Sequence, residues 1–178
     1  MNLEGRECVV VGPANDREAI EKIRALEECG ANVRWLREPS ALRDEDVKDA
    51  FLVISTPLDE ALSARLRSLA DEHRFLLCCI DQPVYGFVAM QAVAKAGPAR
   101  ITVSSGGVSP AVSKRWRIAI QRAMDEKFER FLDVLRARRT ANRALPDSEA
   151  RKQAGRDAAE GFDVNVSVRY PDWFESDR

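Results

Sequence analysis

Two short stretches of this chain carry residue types whose spacing could do chemistry. The first is Ile101-Thr-Val-Ser-Ser-Gly-Gly-Val-Ser-Pro110, an apolar run that ends in hydroxyls and two glycines before Ser109 and Pro110 open a helical segment. Backbone freedom at Gly106 and Gly107 lets N–H groups turn toward one point, and the start of the next helix adds its positive dipole end. With the hydroxyls of Ser104, Ser105 and Ser109, the block reads as a cradle for phosphates or carboxylates. The same residues also suit plain strand-end and cap chemistry, with Ser109 as N-cap and Pro110 at the first helical position. The second stretch is Cys78-Cys-Ile-Asp-Gln-Pro83, a strand that delivers a carboxylate into a turn. Two roles fit Asp81: a proton acceptor at the end of a strand, or a side-chain cap of the Gln82-Pro83 turn.

Elements that could position these residues follow from the apolar pattern. Glu7-Cys-Val-Val-Val-Gly12 reads as a fully buried strand. Asn15-Asp-Arg-Glu18 offers a capping box, Ile20, Ile23 and Leu26 recur at helical spacing, and Gly30 supplies the stop. Further strands are predicted at Asn32–Leu36, Ala50–Ser55 and Phe75–Ile80, with a helix opened by Thr56-Pro57 that places Leu62, Leu66 and Leu69 on one face. Strands alternating with helices of this length imply βαβ units and a parallel sheet, a Rossmann-like α/β core. Ligands of such sheets gather at the carboxyl ends of the strands, where Asp81 would lie.

Beyond Asp81 the pattern changes. Two strand-like runs, Phe87–Ala94 and Arg100–Ser105, bracket a Gly97-Pro98 turn. From Pro110 to about Arg139 a long helix or helix pair carries an apolar stripe of Trp116, Ile120, Met124, Phe128 and Phe131 or Leu135. So wide a stripe has little partner surface within so short a chain, which predicts a homodimer. The tail is rich in Arg, Ala and Asp until Phe162-Asp-Val-Asn-Val-Ser-Val-Arg-Tyr170, which alternates with period two as an edge or exchanged strand would. The organisation read from the sequence is a Rossmann-like domain over 1–82, a dimerisation region over 83–140 and a helical C-terminal extension over 141–178.

Bulk properties narrow the partners. The 178 residues carry a net charge of −1, which gives no electrostatic reason to expect nucleic acid or a membrane surface as partner. No apolar run approaches the roughly 20 residues of a membrane span, and Met1-Asn-Leu-Glu-Gly-Arg lacks the apolar core of a signal peptide. Cys8, Cys29, Cys78 and Cys79 sit inside apolar strand or helix patterns, as buried reduced thiols of a cytoplasmic protein do. Cys78 and Cys79 point to opposite faces of their strand, and no Cys-x-x-Cys spacing supports a zinc site, so no metal ligands are assigned. His73, the single histidine, falls at a predicted helix end.

The Ser104-Ser-Gly-Gly-x-Ser-Pro110 block, the Asp81-x-Pro turn before it and Ile54-Ser-Thr-Pro-Leu-Asp-Glu-Ala-Leu62 resemble the precorrin-2 dehydrogenase / sirohydrochlorin ferrochelatase family, the N-terminal module of siroheme synthase. The resemblance runs from about Glu4 to about Arg138. It implies NAD-dependent dehydrogenation of precorrin-2 to sirohydrochlorin, with ferrochelation as a second activity, in a homodimer whose substrate is a tetrapyrrole. On that resemblance Asp81 is the catalytic residue, and Ser104, Ser105, Gly106, Gly107 and Ser109 face the carboxylates that ring the substrate. Lys114, Arg115, Arg117 and Arg122 would meet further carboxylates across a dimer, or form a solvated helix face. The cofactor would lie against Gly12, Ala14, Asn15, Glu38 and Thr56, with Glu38 toward a ribose hydroxyl, although Arg37 could as easily face a phosphate.

This chain departs from the family pattern at the nucleotide loop. A Gly-x-Gly turn is expected there, because the backbone must approach a pyrophosphate. Here Gly12-Pro-Ala-Asn-Asp16 stands instead: Pro13 has no N–H to donate, and Asp16 places negative charge where phosphates would sit. The segment between Pro39 and Ala50 is also short and lacks an obvious strand. The expectation is weak NAD binding, and the other reading left open is a non-redox relative that binds or metallates a tetrapyrrole.

Overall fold

The computed structural model describes residues 2–56 and 59–176, and divides into two compact units, Met1–Gln91 and Ala92–Arg178. The first holds four parallel strands, β1 (Glu7–Val11), β2 (Asn32–Leu36), β3 (Leu52–Ser55) and β4 (Leu76–Cys79), in the order β2-β1-β3-β4. Helix α1 (Arg17–Glu27) joins β1 to β2, and α2 (Glu60–His73) joins β3 to β4. Because β1 is paired on both sides, its residues Cys8 to Val11 are all buried. Their side chains alternate between two cores. Val9, Val11, Val53, Leu77 and Cys79 pack with Leu66, Leu69 and Ala70 of α2, while Cys8, Val10, Leu52, Ile54 and Cys78 pack with Ala19 and Leu26 of α1. One helix therefore covers each face, which is the doubly wound arrangement implied by the sequence.

These four strands fall within a residue or two of the predicted ones, because each is a short apolar run ended by a turn signal, whereas the later run read over Phe87–Ala94 forms a strand only over Ala92–Ala96. Two details differ. The N-cap of α1 is Asp16, one residue after the predicted Asn15, and its carboxylate accepts from the Glu18 N–H at 2.8 Å. Helix α2 begins at Glu60 with Asp59 as N-cap, accepting from the Leu62 N–H at 2.8 Å. Pro57, read as part of that helix start, lies outside the described residues. Between Pro39 and Ala50 the chain forms two short 3₁₀ turns, Pro39–Ala41 and Asp44–Asp46. The buried Asp46 fixes the second one: its carboxylate accepts from the Arg43 N–H at 2.9 Å and pairs with Arg34 at 3.2 Å. After β4 the chain stays with the first unit, since the N–H groups of Phe87 and Val88 both donate to the Leu77 carbonyl, at 2.8 and 3.1 Å.

The second unit has an antiparallel hairpin, β5 (Ala92–Ala96) and β6 (Ala99–Val103), joined at Gly97-Pro98. Helix α3 (Pro110–Ala123) and helix α4 (Glu126–Ala141) follow, so the long helical stretch is a pair broken at Met124-Asp125. The Gln121 side chain accepts from the Lys95 N–H at 2.9 Å and donates to the Lys95 carbonyl at 2.8 Å, fixing α3 to β5. Its core is small: Ala94, Ala96 and Met124, with Ala99, Ile120 and Phe128 against them. The C-terminal extension contains α5 (Ser148–Ala158) and the short α6 (Asp172–Ser176).

The expected strand over Phe162–Tyr170 does not form in the single chain. A strand is stable only where its N–H and C=O groups find a ladder partner, and none pairs with this run among the described residues. Phe162 instead stacks on Phe131 with ring centroids 5.1 Å apart. Val164, Val166, Val168 and Tyr170 remain more than half exposed.

Candidate functional site

The carboxyl edge of the first unit's sheet gathers most of the expected cofactor residues. The chain leaves β1 at Gly12 and β3 at Thr56, and between these neighbouring strands the strand order reverses. A crevice at that reversal is where open α/β sheets take ligands. Gly12 is buried, its N–H donates to the Leu36 carbonyl at 3.1 Å, and its own carbonyl accepts from the Trp35 indole N–H at 2.9 Å. A Cβ there would collide with the Thr56 hydroxyl, so only glycine fits. The glycine is thus required by the closeness of β3, a reason internal to the fold.

Asp16 stands at the start of α1, where the loop after Gly12 ends. Its carboxyl is held below the usual carboxylate range, chiefly by a hydrogen bond from the Thr56 hydroxyl and further by the N–H groups of Glu18 and Ala19. Those two N–H groups belong to the first turn of α1, the donors a phosphate would otherwise meet. The preceding loop is a tight turn closed by the Asp16 N–H on the Pro13 carbonyl at 3.0 Å, leaving Ala14 and Asn15 exposed. Sequence reasoning identified the charge of Asp16 but placed the cap at Asn15. Helix-start residues are interchangeable in pattern, and only the position of Thr56 decides which one turns inward.

At the end of β2, Arg37 lies over the Trp35 ring, 4.7 Å from its centroid. Glu38 follows, exposed, its carbonyl accepting from the Ala41 N–H at 2.9 Å at the entry to the first 3₁₀ turn.

Asp81 lies just past β4, on the same edge of the sheet. Its backbone is left-handed, with φ 61°, a conformation that non-glycine residues rarely adopt and that Asp and Asn tolerate best. Other groups hold the turn. The buried Ser63 hydroxyl donates to the Gln82 side chain, the Tyr85 N–H donates to the Gln82 carbonyl at 3.1 Å, and the Tyr85 hydroxyl donates to Glu60 at 2.7 Å. Asp81 is exposed and its carboxylate makes no intrachain hydrogen bond or ion pair among the described residues. The neighbouring thiols are different. Burial pushes Cys78 and Cys79 up from the usual thiol range, on opposite faces of the sheet. Among the described residues no group of three or more His, Cys, Asp or Glu side chains could hold a metal ion.

The serine-glycine block belongs to the second unit. Gly106 and Gly107 have φ of 64° and 83°, and the Val108 N–H closes the turn on the Ser105 carbonyl at 3.2 Å. Positive φ at both central positions is why two glycines stand there. The hydroxyls are engaged locally: Ser104 accepts from the Gly106 N–H at 3.1 Å, and Ser109 caps α3 by accepting from the Val112 N–H at 3.3 Å. Ser105 does most, accepting from the Ser109 N–H and donating to the Ser109 carbonyl, both at 3.0 Å. Ser105→Ala removes both bonds and is expected to lower stability by about 1–2 kcal/mol, at roughly 1 kcal/mol for each neutral bond. Thermal or urea unfolding checks this, and an unchanged midpoint would contradict it. On α3, Lys114, Arg115 and Arg122 are exposed, and Arg117 is half-buried.

Known proteins resemble this arrangement. Residues 1–92 match the model of a family described as putative NAD(P)-binding. The siroheme synthase of Azotobacter vinelandii is 28% identical over 170 residues, covering 85% of this chain and 36% of that protein. That of Thioalkalivibrio sulfidiphilus is 26% identical over 173 residues, covering 86% of this chain and 35% of that protein. The chain therefore spans about a third of the length of the curated relatives it matches. Among solved structures, SirC, a precorrin-2 dehydrogenase, superposes with a TM-score of 0.66 at 19% identity, covering 92% of this chain and 87% of the other. That likeness establishes the fold, and no described helix is long and apolar enough to cross a membrane. With its first 92 residues matching over more than half its length, the chain belongs to the putative NAD(P)-binding family, as a divergent relative of the siroheme synthases.

Proposed function

We propose that this chain is a precorrin-2 dehydrogenase, oxidising precorrin-2 to sirohydrochlorin with a nicotinamide dinucleotide, NAD on the resemblance, in siroheme biosynthesis in the cytoplasm. The observation that carries the reading is Asp81. It is a carboxylate on the ligand-binding edge of a dinucleotide-type sheet, in a left-handed backbone, with no intrachain partner among the described residues. A solvent-facing carboxylate that no intrachain bond engages, on a constrained backbone, suits a base better than a turn cap. Oxidation of precorrin-2 removes a hydride and a proton. The dinucleotide supplies the hydride acceptor, and Asp81 takes the proton. Metal insertion into sirohydrochlorin would use the same carboxylate to receive protons from pyrrole nitrogens.

The crevice fits a dinucleotide unevenly. Gly12 and Thr56 stand at the switch point, and Arg37 and Glu38 follow the end of the second strand, where a ribose would be met. The phosphate end keeps a weakened hold, because Pro13 lacks a donor and Asp16 takes those of Glu18 and Ala19. Ser104, Ser105, Gly106, Gly107 and Ser109 are proposed to meet substrate carboxylates through their remaining hydrogen-bonding capacity, with Lys114, Arg115, Arg117 and Arg122 adding charge. The capped phosphate end also favours a second reading, a non-redox module that holds or metallates a tetrapyrrole. Separate titrations with NAD and with sirohydrochlorin test the two. Binding of both supports the dehydrogenase, and sirohydrochlorin binding with none of NAD at millimolar concentration favours the module.

A homodimer is part of the proposal. The second unit's core is small, and Trp116, Val112, Val134 and the valines of the tail are exposed on it, apolar surface that a second copy would cover. Light scattering at micromolar concentration is expected to give about twice the 19.9 kDa chain mass. A monomer there would remove this part of the account.

A further inference from the structure

The carboxylate of Asp81 makes no intrachain hydrogen bond or ion pair among the described residues, so its position is set by the backbone on either side. That backbone is left-handed, a conformation that persists at a non-glycine residue only where the surroundings over-determine it. Two bonds bracket it. Before Asp81, the Ile80 N–H donates to the Ser55 carbonyl at the end of β3, at 2.9 Å. After it, the half-buried Gln82 side chain accepts from the hydroxyl of Ser63 on α2. Ser63 is fully buried, and a buried hydroxyl holds its partner because an unmade bond there costs the desolvation of the group.

The loop beyond is tied to the same side of α2. Glu60, Ser63 and Arg67 are three and four residues apart, so they share one helix face beside the apolar stripe of Leu62, Leu66 and Leu69. Glu60 accepts from the Tyr85 hydroxyl at 2.7 Å, and the Arg67 guanidinium lies over the Phe87 ring, 3.9 Å from its centroid. Strand β4 fits closely against the loop, since a Cβ on Gly86 would meet the Cys79 nitrogen and the Leu77 oxygen at 3.2 Å. Three contacts therefore clamp residues 82–87 to α2. Of these, the Ser63–Gln82 bond is the one next to Asp81 and the one rooted in a fully buried group.

A base works only when it is held within hydrogen-bond reach of the proton that it takes, and a small misplacement of a reacting group is costly. We propose that Ser63 is a positioning residue for the oxidation, holding the Asp81 carboxylate in place through Gln82. The inference rests on the reading of Asp81 as proton acceptor and adds the group that orients it.

Anaerobic steady-state kinetics of the full chain with precorrin-2 and NAD, beside thermal unfolding, test it in a cycle with Asp81→Asn. Ser63→Ala is expected to lower kcat by about 10- to 100-fold, the cost of a misplaced reacting group, with the KM for precorrin-2 little changed. Ser63→Thr, which keeps the hydroxyl, should recover most of the rate. Gln82→Met removes the acceptor at a half-buried position and should lower kcat as far as Ser63→Ala does, which carries the same comparison should Ser63→Ala fold poorly. In the Asp81→Asn background neither change should lower the rate further, because the group they position is gone. Lost stability with kcat unchanged, or the same fractional loss of rate with and without the Asp81 carboxylate, would overturn the inference and leave the dehydrogenase reading standing. Asp81→Asn as active as the parent would overturn both.

Discussion

Asp81→Asn is expected to lower the rate of precorrin-2 oxidation by about 10²–10⁴-fold, the usual contribution of a positioned proton acceptor. The fold should survive. Asn tolerates the left-handed backbone at φ 61° at least as well as Asp, and the turn is held by Ser63, Gln82 and Tyr85. Substrate binding should change little, because the side chain keeps its size. Asp81→Ala tests a different quantity, since a residue with no polar side chain is strained there by roughly 1 kcal/mol or more. Anaerobic rate measurements beside thermal unfolding separate the two effects. Full activity in a destabilised Asp81→Asn protein would reduce Asp81 to a turn residue.

The second large effect is expected from Gly12→Ala. The added methyl collides with the Thr56 hydroxyl, and Thr56 is buried and bonded to Asp16. It cannot swing aside without disturbing the contacts of its hydroxyl with the Val11 carbonyl and the Asp16 carboxylate. Overpacking of this kind costs about 1–3 kcal/mol. Removing the colliding atom with Thr56→Ala in the Gly12→Ala background should return part of that loss, a coupling that neither single change would show. Urea unfolding of the four proteins measures it. A Gly12→Ala protein as stable as the parent would show that the close approach of β1 and β3 is not essential.

Much of the first unit was legible because its signals are local. Apolar runs such as Val9–Val11 and Leu52–Ile54 can only be buried strands, and Leu66 and Leu69 recur at the spacing that faces the sheet. Ser109-Pro110 announced a helix start, and the turn at Gly106-Gly107 was implied by two adjacent glycines. What the sequence left hidden depends on residues far apart in the chain. The choice of Asp16 over Asn15 as cap turns on Thr56, and the need for Gly12 turns on the same hydroxyl. The left-handed backbone of Asp81 has no sequence signature, since Asp stands in turns of many kinds. Period-two alternation over Phe162–Tyr170 describes a strand only if a partner strand exists, and alternation cannot say whether one does. The Trp35–Arg37 stack was likewise invisible, although Arg37 itself stood out beside Glu38.

The central claim is that this chain oxidises precorrin-2 by giving a hydride to a nicotinamide dinucleotide and a proton to Asp81. The direct measurement is anaerobic incubation of the purified chain with precorrin-2 and NAD or NADP, following sirohydrochlorin and the reduced dinucleotide together. The account predicts that the two products rise in equal amounts, and that Asp81→Asn forms neither at a comparable rate. Tight binding of both precorrin-2 and dinucleotide without formation of sirohydrochlorin would contradict it.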